Sequence, residues 1–361
     1  MRGVQLFDML LVEQMLREGV ALTLPVESTW DRRLRERMEG LEGWEGVRLI
    51  RTPSLIKPLW NTLAAQGRVF RGGPYDGVVV GNPTRGLAPM LRMMRRKGLA
   101  DRVTVLAHRT VREGFARALK GDGVTVVCVN REIAEQAQRV LSGARVVTSY
   151  GIPDADRFVG GEIGEDTGGT PAPREEGGEG RGDGVVRFGV LGKLDNPWKG
   201  ADDAIEAFGM MSEDVRARCE LHLASYERRD ARPVIDDDRI IAHDWMETSR
   251  TPGFLRGLDV LLVPSTSHET FSQAIVQGML TGLPIVARDL PVLAEKLDTG
   301  GGVVVDDVSS MSEAMGRLAG DAQLRASMGA IARRTALERY VWDTGAFLRD
   351  YVLAGDCAVR S

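Results

Sequence analysis

The chain has 361 residues, of which 43% are hydrophobic and 27% are charged, a composition typical of a folded protein with roughly two domains. Its formal net charge of −4 gives no overall basic field that would indicate nucleic acid or an anionic membrane as the partner. Three cysteines, Cys128, Cys219 and Cys357, have no metal or redox spacing, which predicts a reducing, cytoplasmic compartment. No apolar run approaches the about 20 residues of a transmembrane helix, and the first ten residues lack the features of a signal peptide.

In the first 159 residues, short apolar runs alternate with segments of helical periodicity. Their Val, Leu and Ile residues follow one another without polar alternation, which predicts parallel strands covered on both faces. The chain enters a helical pattern directly after Gly3, so either the strand that usually opens a Rossmann-like half is missing from this chain or the start of the chain is misassigned. The predicted strands are 21–26, 46–50, 76–81, 102–108, 124–129 and 144–151.

Residues 160–184 are rich in Gly and Glu and contain almost no large apolar side chain. Such a segment cannot bury enough surface to offset the entropy lost on ordering. We therefore predict a flexible acidic linker here.

After the linker the alternation of apolar runs and helical segments begins again. Two successive doubly wound halves predict an α/β protein with two lobes and a cleft between them, a place that small-molecule sites favour. The predicted strands of the second half are 185–192, 220–225, 239–244, 259–265, 283–287 and 302–307.

The stretch VLGKLDNPWKGADDAIEAF (190–208) places two cations in a strand-to-helix loop. The strand ends at Gly192, and Lys193 and Lys199 can converge on one anion together with the N-terminus of the helix. The spacing is not that of a P-loop, and no Gly-x-Gly-x-x-Gly follows a strand, which disfavours a nicotinamide cofactor. The alternative is that both lysines are ordinary surface charges.

The stretch STSHETFSQAIVQGMLTGLP (265–284) has the order of a loop, a helix and a turn. Backbone N–H groups of Thr270, Phe271 and Ser272 precede the helix and can bind a diphosphate. Glu269 repels phosphate and suits sugar hydroxyls instead, while Gln277, eight positions later, suits a ribose. The alternatives are an acid favoured by the helix dipole for Glu269 and an ordinary polar helix position for Gln277.

Taken together, the two stretches resemble the family 4 retaining glycosyltransferases of the GT-B fold. The family phrase has a Glu, seven residues and a second Glu, and it is preceded by an Arg…Lys pair that corresponds to Lys193 and Lys199. Ser272 stands where the family has Gly, and Gln277 stands where it has the second Glu. Lys193 keeps the charge of the Arg but loses its bidentate geometry. The residues in register are Glu269, Phe271, Ser272, Gln277, Gly282, Pro284, Ile285, Val286 and Ala287.

The resemblance implies a GT-B architecture of two Rossmann-like doubly wound domains facing a cleft, without the first N-terminal strand. SYGIPDADRF (149–158) and RYVWDTGAFLRDYV (339–352) are similar to the family's segments at the ends of the two domains. The implied division is an acceptor-binding domain (1–159), the linker (160–184), a nucleotide-sugar-binding domain (185–335) and a C-terminal helix crossing back to the first domain (336–361).

The resemblance also implies roles for residues outside the two stretches. Gly3 would be the loop glycine that approaches the diphosphate, together with Gly192 at the end of its strand. His108 would contact the transferred sugar, and Trp245 would stack on the nucleotide base. No metal site is expected, because the histidines lack metal-ligand spacing with a carboxylate and 236–238, an Asp-x-Asp match, lies in a Pro-bearing loop.

The implied activity is a retaining, metal-independent, hexosyltransferase-like transfer from a UDP- or GDP-sugar, without a cofactor, to an acceptor hydroxyl. The catalytic set is His108, Glu269, Lys193 and Lys199, and the acceptor is a glycan, a lipid or a small molecule. Two alternatives stay open. A basic cluster in MLRMMRRKGLADR (90–102) fits a phage-type enzyme acting on modified DNA bases, or peripheral contact with a membrane. The change at Gln277 fits a catalytically degenerate GT-B binding protein.

Overall fold

The structure is a computed structural model, and its described residues form two compact units. One unit comprises Met1–Pro153 with Trp342–Ser361, and the other comprises Asp154–Val341, whereas the sequence boundaries were 159 and 336. The predicted linker lies outside the described residues except for Gly184. Among the helices that are described, none has the length and apolar character to cross a membrane. The described residues are 3–27, 38, 40–52, 70–81, 87–100, 102–119, 123–159, 184–225, 237–243 and 246–353.

Each of the twelve described strands overlaps a run predicted from the sequence. In the N-terminal unit, β1 (Thr23–Glu27) and β2 (Arg48–Thr52) form a parallel pair. A separate parallel sheet has the order β3-β4-β5-β6, with bounds Val78–Val80, Val103–Ala107, Val124–Cys128 and Arg145–Thr148. All five residues of β4 are buried, as expected for a strand covered on both faces.

Before its C-terminal segment, the described helices of the N-terminal unit are α1 (Gly3–Arg17), α2 (Leu87–Arg96), α3 (Glu113–Leu119) and α4 (Arg131–Val140). The side chain of Asn130 caps α4 by accepting a hydrogen bond from the Ile133 amide at 2.8 Å, which satisfies one of the N–H groups that a helix start leaves without a partner. A 3₁₀ turn covers Trp44–Gly46.

The end of the chain returns to the N-terminal unit through α13 (Thr344–Phe347) and a π-helical turn, Leu348–Val352. The hydroxyl of Thr344 donates to the side-chain oxygen of Gln14 in α1. Arg145 at the edge of the sheet donates to the carbonyl of Asp350 at 3.0 Å. These bonds tie the terminal segment to both a helix and the sheet of this unit.

The C-terminal unit contains one six-stranded parallel sheet with the order β12-β11-β10-β7-β8-β9. The chain starts in the middle, at β7, moves outward through β8 and β9, and then crosses to the other side of β7 at β10. In open parallel sheets, ligands bind at the carboxyl ends of the strands where the order reverses in this way. The bounds are Val186–Gly192, Cys219–Ser225, Ile240–Ala242, Val260–Val263, Ile285–Arg288 and Gly302–Val305 for β7 to β12.

Helices cover this sheet and bury a core that includes Phe188, Phe208, Leu221 and Met315. Two 3₁₀ turns, Pro197–Lys199 and Thr248–Arg250, lie in its loops. The helices are α5 (Asp156–Val159), α6 (Ala201–Gly209), α7 (Glu213–Arg216), α8 (Thr251–Arg256), α9 (Gln273–Thr281), α10 (Pro291–Leu297), α11 (Val308–Gly320) and α12 (Ala322–Arg339).

Candidate functional site

The two chemistry-bearing stretches of the sequence meet at the switch point of the six-stranded sheet. Strands β7 and β10 are direct neighbours, with Val190 paired to Leu262. Since the strands are parallel, the loop after β7 (193–200) and the loop after β10 (264–272) leave the same edge of the sheet. The sequence predicted each loop as an anion site but did not show that they lie side by side.

Backbone contacts hold these two loops together. The amide of Thr266 donates to the carbonyl of Trp198 at 2.8 Å. Gly200 has a φ of +69°, and a Cβ added there would lie 2.2 Å from the carbonyl oxygen of Pro264. A residue with a side chain is therefore disfavoured at this position both by its backbone conformation and by the close approach of the second loop.

The ion pair between Lys199 and Glu269 is the central electrostatic contact of the site. Lys199 Nζ donates to Glu269 Oε1, and the same oxygen accepts a hydrogen bond from Ser265 Oγ at 2.8 Å. The carboxylate side chain is only 6% exposed, against 19% for the lysine. A buried carboxylate needs such donors, so Lys199 and Ser265 satisfy Glu269 Oε1 and orient the carboxylate.

An aromatic surface borders this ion pair. The Trp198 ring lies 4.7 Å from Lys199 Nζ, a cation–π distance, and 5.5 Å from the exposed ring of His268. The Ser267 hydroxyl and His268 Nδ1 are 2.6 Å apart. Trp198 was not among the residues predicted from the sequence, although its place between Pro197 and Lys199 was a usable signal for an ordered aromatic side chain.

The segment 268–272 enters α9 in an unusual conformation. His268 and Ser272 have φ values of 58° and 57°, a region that side-chain-bearing residues seldom adopt. Ser272 is the N-cap of α9 and makes no capping bond with its side chain, and the N-terminus of a helix is an end that favours anions. Phe271 and Gln277 are both buried, at 5% and 8% exposure, and Gln277 lies in the middle of α9.

A buried lysine that the sequence analysis missed supports this segment. Lys296 in α10 is 1% exposed, and its Nζ lies 4.6 Å from the Phe271 ring and 5.4 Å from the Tyr340 ring. Burial lowers the pKa of Lys296 to about 8, and the carboxylates of Glu295 and Glu269 oppose that shift. Lysine is among the residues least often fully buried, so the sequence alone gave no signal of its burial.

The remaining predicted residues have the following places. His108 directly follows β4, is buried, and meets the Tyr150 ring edge-on at 5.3 Å. Gly3 is the first residue of α1, and Gly192 is the last residue of β7. Lys193 is partly exposed in the loop after β7. Trp245 and Asp236 lie outside the described residues.

In the described parts of the chain, no group of three or more His, Cys, Asp or Glu side chains is placed to hold a metal ion. The acidic run at 236–238 is described only at its last two residues, so the prediction of no metal stays a prediction.

Comparison with known protein families places the candidate site in a recognised domain. Residues 186–321 match the model described as glycosyl transferases group 1, and this span contains both loops of the switch point. The resemblance to this family is therefore confined to the C-terminal unit, where both loops lie. No curated protein sequence matches the chain.

Solved structures resemble the chain over nearly its whole length. HepE from Anabaena in complex with UDP-glucose has a TM-score of 0.65 at 15% identity, covering 94% of this chain and 92% of that one. Sucrose-phosphate synthase from Thermosynechococcus elongatus has 0.64 at 13% identity, covering 94% and 90%. WaaG, a glycosyltransferase involved in lipopolysaccharide biosynthesis, has 0.57 at 13% identity, covering 93% and 92%. The likeness shows a GT-B fold, as the sequence predicted.

Proposed function

We propose that this protein is a retaining, metal-independent glycosyltransferase that moves a sugar from a nucleoside-diphosphate sugar to an acceptor hydroxyl. The observation that carries the proposal is the cluster of Lys199, Glu269 and Ser265 at the switch point of a glycosyltransferase group 1 domain. The cluster combines a cation with a carboxylate and lies in the loop that leads into the N-terminus of α9. A cation and a helix N-terminus suit the diphosphate, and a carboxylate suits the sugar hydroxyls.

The proposed catalysis is mainly electrostatic. When the bond between the sugar and the diphosphate breaks, negative charge builds up on the leaving group. Lys193, Lys199 and the N–H groups at the start of α9 stabilise that charge more strongly in the transition state than in the bound donor. Glu269 accepts hydrogen bonds from the hydroxyls of the transferred sugar, and the acceptor attacks from the face that the diphosphate leaves.

In this proposal Lys199 changes partners during the reaction cycle. Its ammonium is paired with Glu269. An arriving diphosphate offers more negative charge than one carboxylate and draws the ammonium towards itself. Glu269 then exchanges that partner for sugar hydroxyls, so binding of the two halves of the donor is coupled.

The proposed donor is a UDP- or GDP-sugar, and UDP-glucose is the first to test because HepE was solved with it. Gln277 is proposed to hold the ribose, and Trp245 to stack on the base. His108 is proposed to contact the transferred sugar and Gly3 and Gly192 to lie beside the diphosphate. The two described cysteines, Cys128 and Cys219, are buried free thiols, which agrees with the proposed cytoplasmic location.

The first experiment screens nucleotide sugars by thermal shift and follows each hit by nucleotide release. A true donor raises the melting temperature by mass action and is turned over without added metal and in the presence of EDTA. The anomeric configuration of the product, read by proton NMR, then tests retention. If no nucleotide sugar shifts the melting temperature or releases nucleotide, the transferase proposal is wrong and the binding-protein alternative gains support.

Exposed basic residues of the N-terminal unit suggest an experiment that distinguishes the possible classes of acceptor. Helix α2 ends in Arg95 and Arg96, and Arg96, Lys97 and Arg102 are exposed. A polyanionic acceptor such as DNA or an anionic lipid surface would give binding that weakens steeply with salt, whereas a neutral glycan would not. Gel shifts with duplex DNA and sedimentation with anionic vesicles, each over a range of salt, distinguish these classes.

A further inference from the structure

Lys296 is a buried cation, and its ammonium lies over the faces of two aromatic rings. Among the described residues its ammonium makes no ion pair, and its one hydrogen bond is donated to the carbonyl of Val292 in the preceding turn at 3.2 Å. A buried ammonium is costly unless it is compensated, and ring faces attract it electrostatically. The rings of Phe271 and Tyr340 therefore replace the missing carboxylate partner.

The two rings belong to different elements of the C-terminal unit. Phe271 lies in the segment 268–272 before α9, and Tyr340 follows directly after α12, which ends at Arg339. Their centroids are 6.1 Å apart in an edge-to-face arrangement, which aromatic pairs prefer. Lys296 in α10 thus fastens the loop that carries Glu269 to two helices that take no direct part in the candidate site.

The contact between Lys296 and Phe271 lies in a segment whose backbone conformation is unfavourable. His268 and Ser272, on either side of Glu269 and Phe271, both have positive φ values. Such conformations persist only when the surrounding structure enforces them. The Phe271 side chain is the buried anchor between these two positions, and the charge of Lys296 holds that anchor while also lying near enough to Glu269 to interact with it electrostatically.

We propose that Lys296 is a positioning residue of the candidate site: held between Phe271 and Tyr340, its ammonium fixes the segment 268–272 and so places Glu269 and the amides before α9. The inference rests on the proposed function for its catalytic consequence, but its structural part does not. The role is indirect, since Lys296 acts through Phe271 and touches none of the groups assigned to the donor.

The test compares full-length wild-type protein with Lys296→Met, a substitution that keeps the length of the side chain and removes the charge. Methionine packs well against aromatic rings and spares the protein a buried charge, so the melting temperature should stay level or rise. Backbone hydrogen exchange at 268–273 should nevertheless become about tenfold faster. Turnover of UDP-glucose, measured as UDP release, should fall by about tenfold to a hundredfold, with a smaller change in KM.

Two variants of Tyr340 serve as matched controls. Tyr340→Phe keeps the ring face and should resemble the wild type, whereas Tyr340→Leu removes it and should reproduce the faster exchange at 268–273. Unchanged exchange in this loop of Lys296→Met overturns the inference. So does faster exchange throughout the C-terminal unit with a lower melting temperature, since that pattern describes a general packing role. If the wild type releases no UDP, the proposed function fails, and the exchange comparison still decides the role of Lys296.

Discussion

Lys199 and Glu269 form an ion pair that joins the loop after β7 to the loop after β10 in the C-terminal unit. The two residues lie 70 positions apart in the chain, and the sheet order makes their loops neighbours. Ser265 donates to the same carboxylate oxygen. The pair therefore holds the two loops together through their side chains, and under the proposed function a bound diphosphate would compete with Glu269 for Lys199.

Lys199→Ala should weaken binding of UDP far more than binding of uridine. The lost charge-assisted contact to the diphosphate is worth about 1.5–3 kcal/mol. Uridine has no phosphate group, so its binding does not depend on this contact. Isothermal titration calorimetry with both ligands checks this. Lys97→Ala, which removes an exposed lysine of the N-terminal unit, is the control and should bind both ligands as the wild type does. Equal losses for the two ligands would show that Lys199 does not meet the phosphates.

Glu269→Gln should lower turnover far more than donor affinity. The amide keeps one acceptor oxygen and the size of the side chain but loses the charge that strengthens hydrogen bonds to the reacting sugar. Such a contact acts mainly in the transition state, so we expect kcat to fall by about a hundredfold and the donor Kd to change by less than tenfold. Steady-state kinetics and calorimetry with the same donor separate the two. Wild-type turnover in Glu269→Gln would leave this residue only a structural partner of Lys199.

Gln277→Glu should separate stability from donor affinity. Gln277 is 8% exposed, so a carboxylate there is placed in a buried position and should lower stability by about 1–3 kcal/mol. A ribose hydroxyl donates better to a carboxylate than to an amide, so donor affinity should stay level or improve. Thermal denaturation and titration calorimetry measure the two effects. A clear loss of affinity would place the ribose elsewhere.

The strands of this fold were predictable because parallel strands buried on both faces leave a plain signature. Runs such as VTVVCV (124–129) contain no polar alternation, and β5 (Val124–Cys128) lies within that run. The order of the strands was not predictable in the same way. The pattern of apolar residues indicates that a strand is buried, but it does not indicate which strand lies beside it. The position of β10 next to β7 could therefore not be predicted.

The candidate site was predicted as a set of residues but not as a set of contacts. Lys199 and Glu269 were each assigned to a ligand, and their mutual ion pair was not foreseen, because it depends on the adjacency of two loops. Lys296 was missed for a different reason. A lysine is almost never fully buried, so only the positions of Phe271 and Tyr340 in space reveal why this one is.

Gly200→Ala should strongly destabilise the protein, because both the backbone conformation and the space at position 200 require glycine. Its φ is positive, and a Cβ would lie 2.2 Å from the carbonyl oxygen of Pro264, a backbone atom that cannot move without parting the two loops. We expect a loss of about 2–4 kcal/mol in the free energy of unfolding. Gly316→Ala is the matched control, since a Cβ there meets nothing within 4 Å in the interior of α11, and it should stabilise by about 0.5–1 kcal/mol. Urea denaturation of both variants tests this, and similar effects at the two sites would contradict the close packing of the loops.

Two histidines of the C-terminal unit stack on each other. His222 lies in β8, and His243 is the first residue after the neighbouring strand β9. His222 Nδ1 and His243 Nε2 are 2.9 Å apart, and His222 Nε2 lies 3.1 Å from a carboxylate oxygen of Glu220, which also pairs with Arg187. Burial lowers the pKa of His243 to about 4, helped by the nearby His222 and Arg250. Burial also lowers the pKa of His222, although Glu220 opposes the shift. Both rings are therefore neutral in the folded protein at pH 7.

In the unfolded chain His243 takes up a proton near its ordinary pKa of 6.5, whereas in the folded protein the pKa of His243 is about 4. Stability from this residue is therefore fully present above about pH 6.5 and is lost as the pH falls towards 4. The loss should be roughly 1–2 kcal/mol, less than the whole shift implies, because His243 is partly open to solvent. Urea denaturation of wild type and His243→Gln between pH 4 and 7 checks this, since glutamine keeps a hydrogen-bonding side chain but does not titrate. The variant should lose less stability over that range, and an identical dependence on pH in the two proteins would show that His243 is not the group responsible.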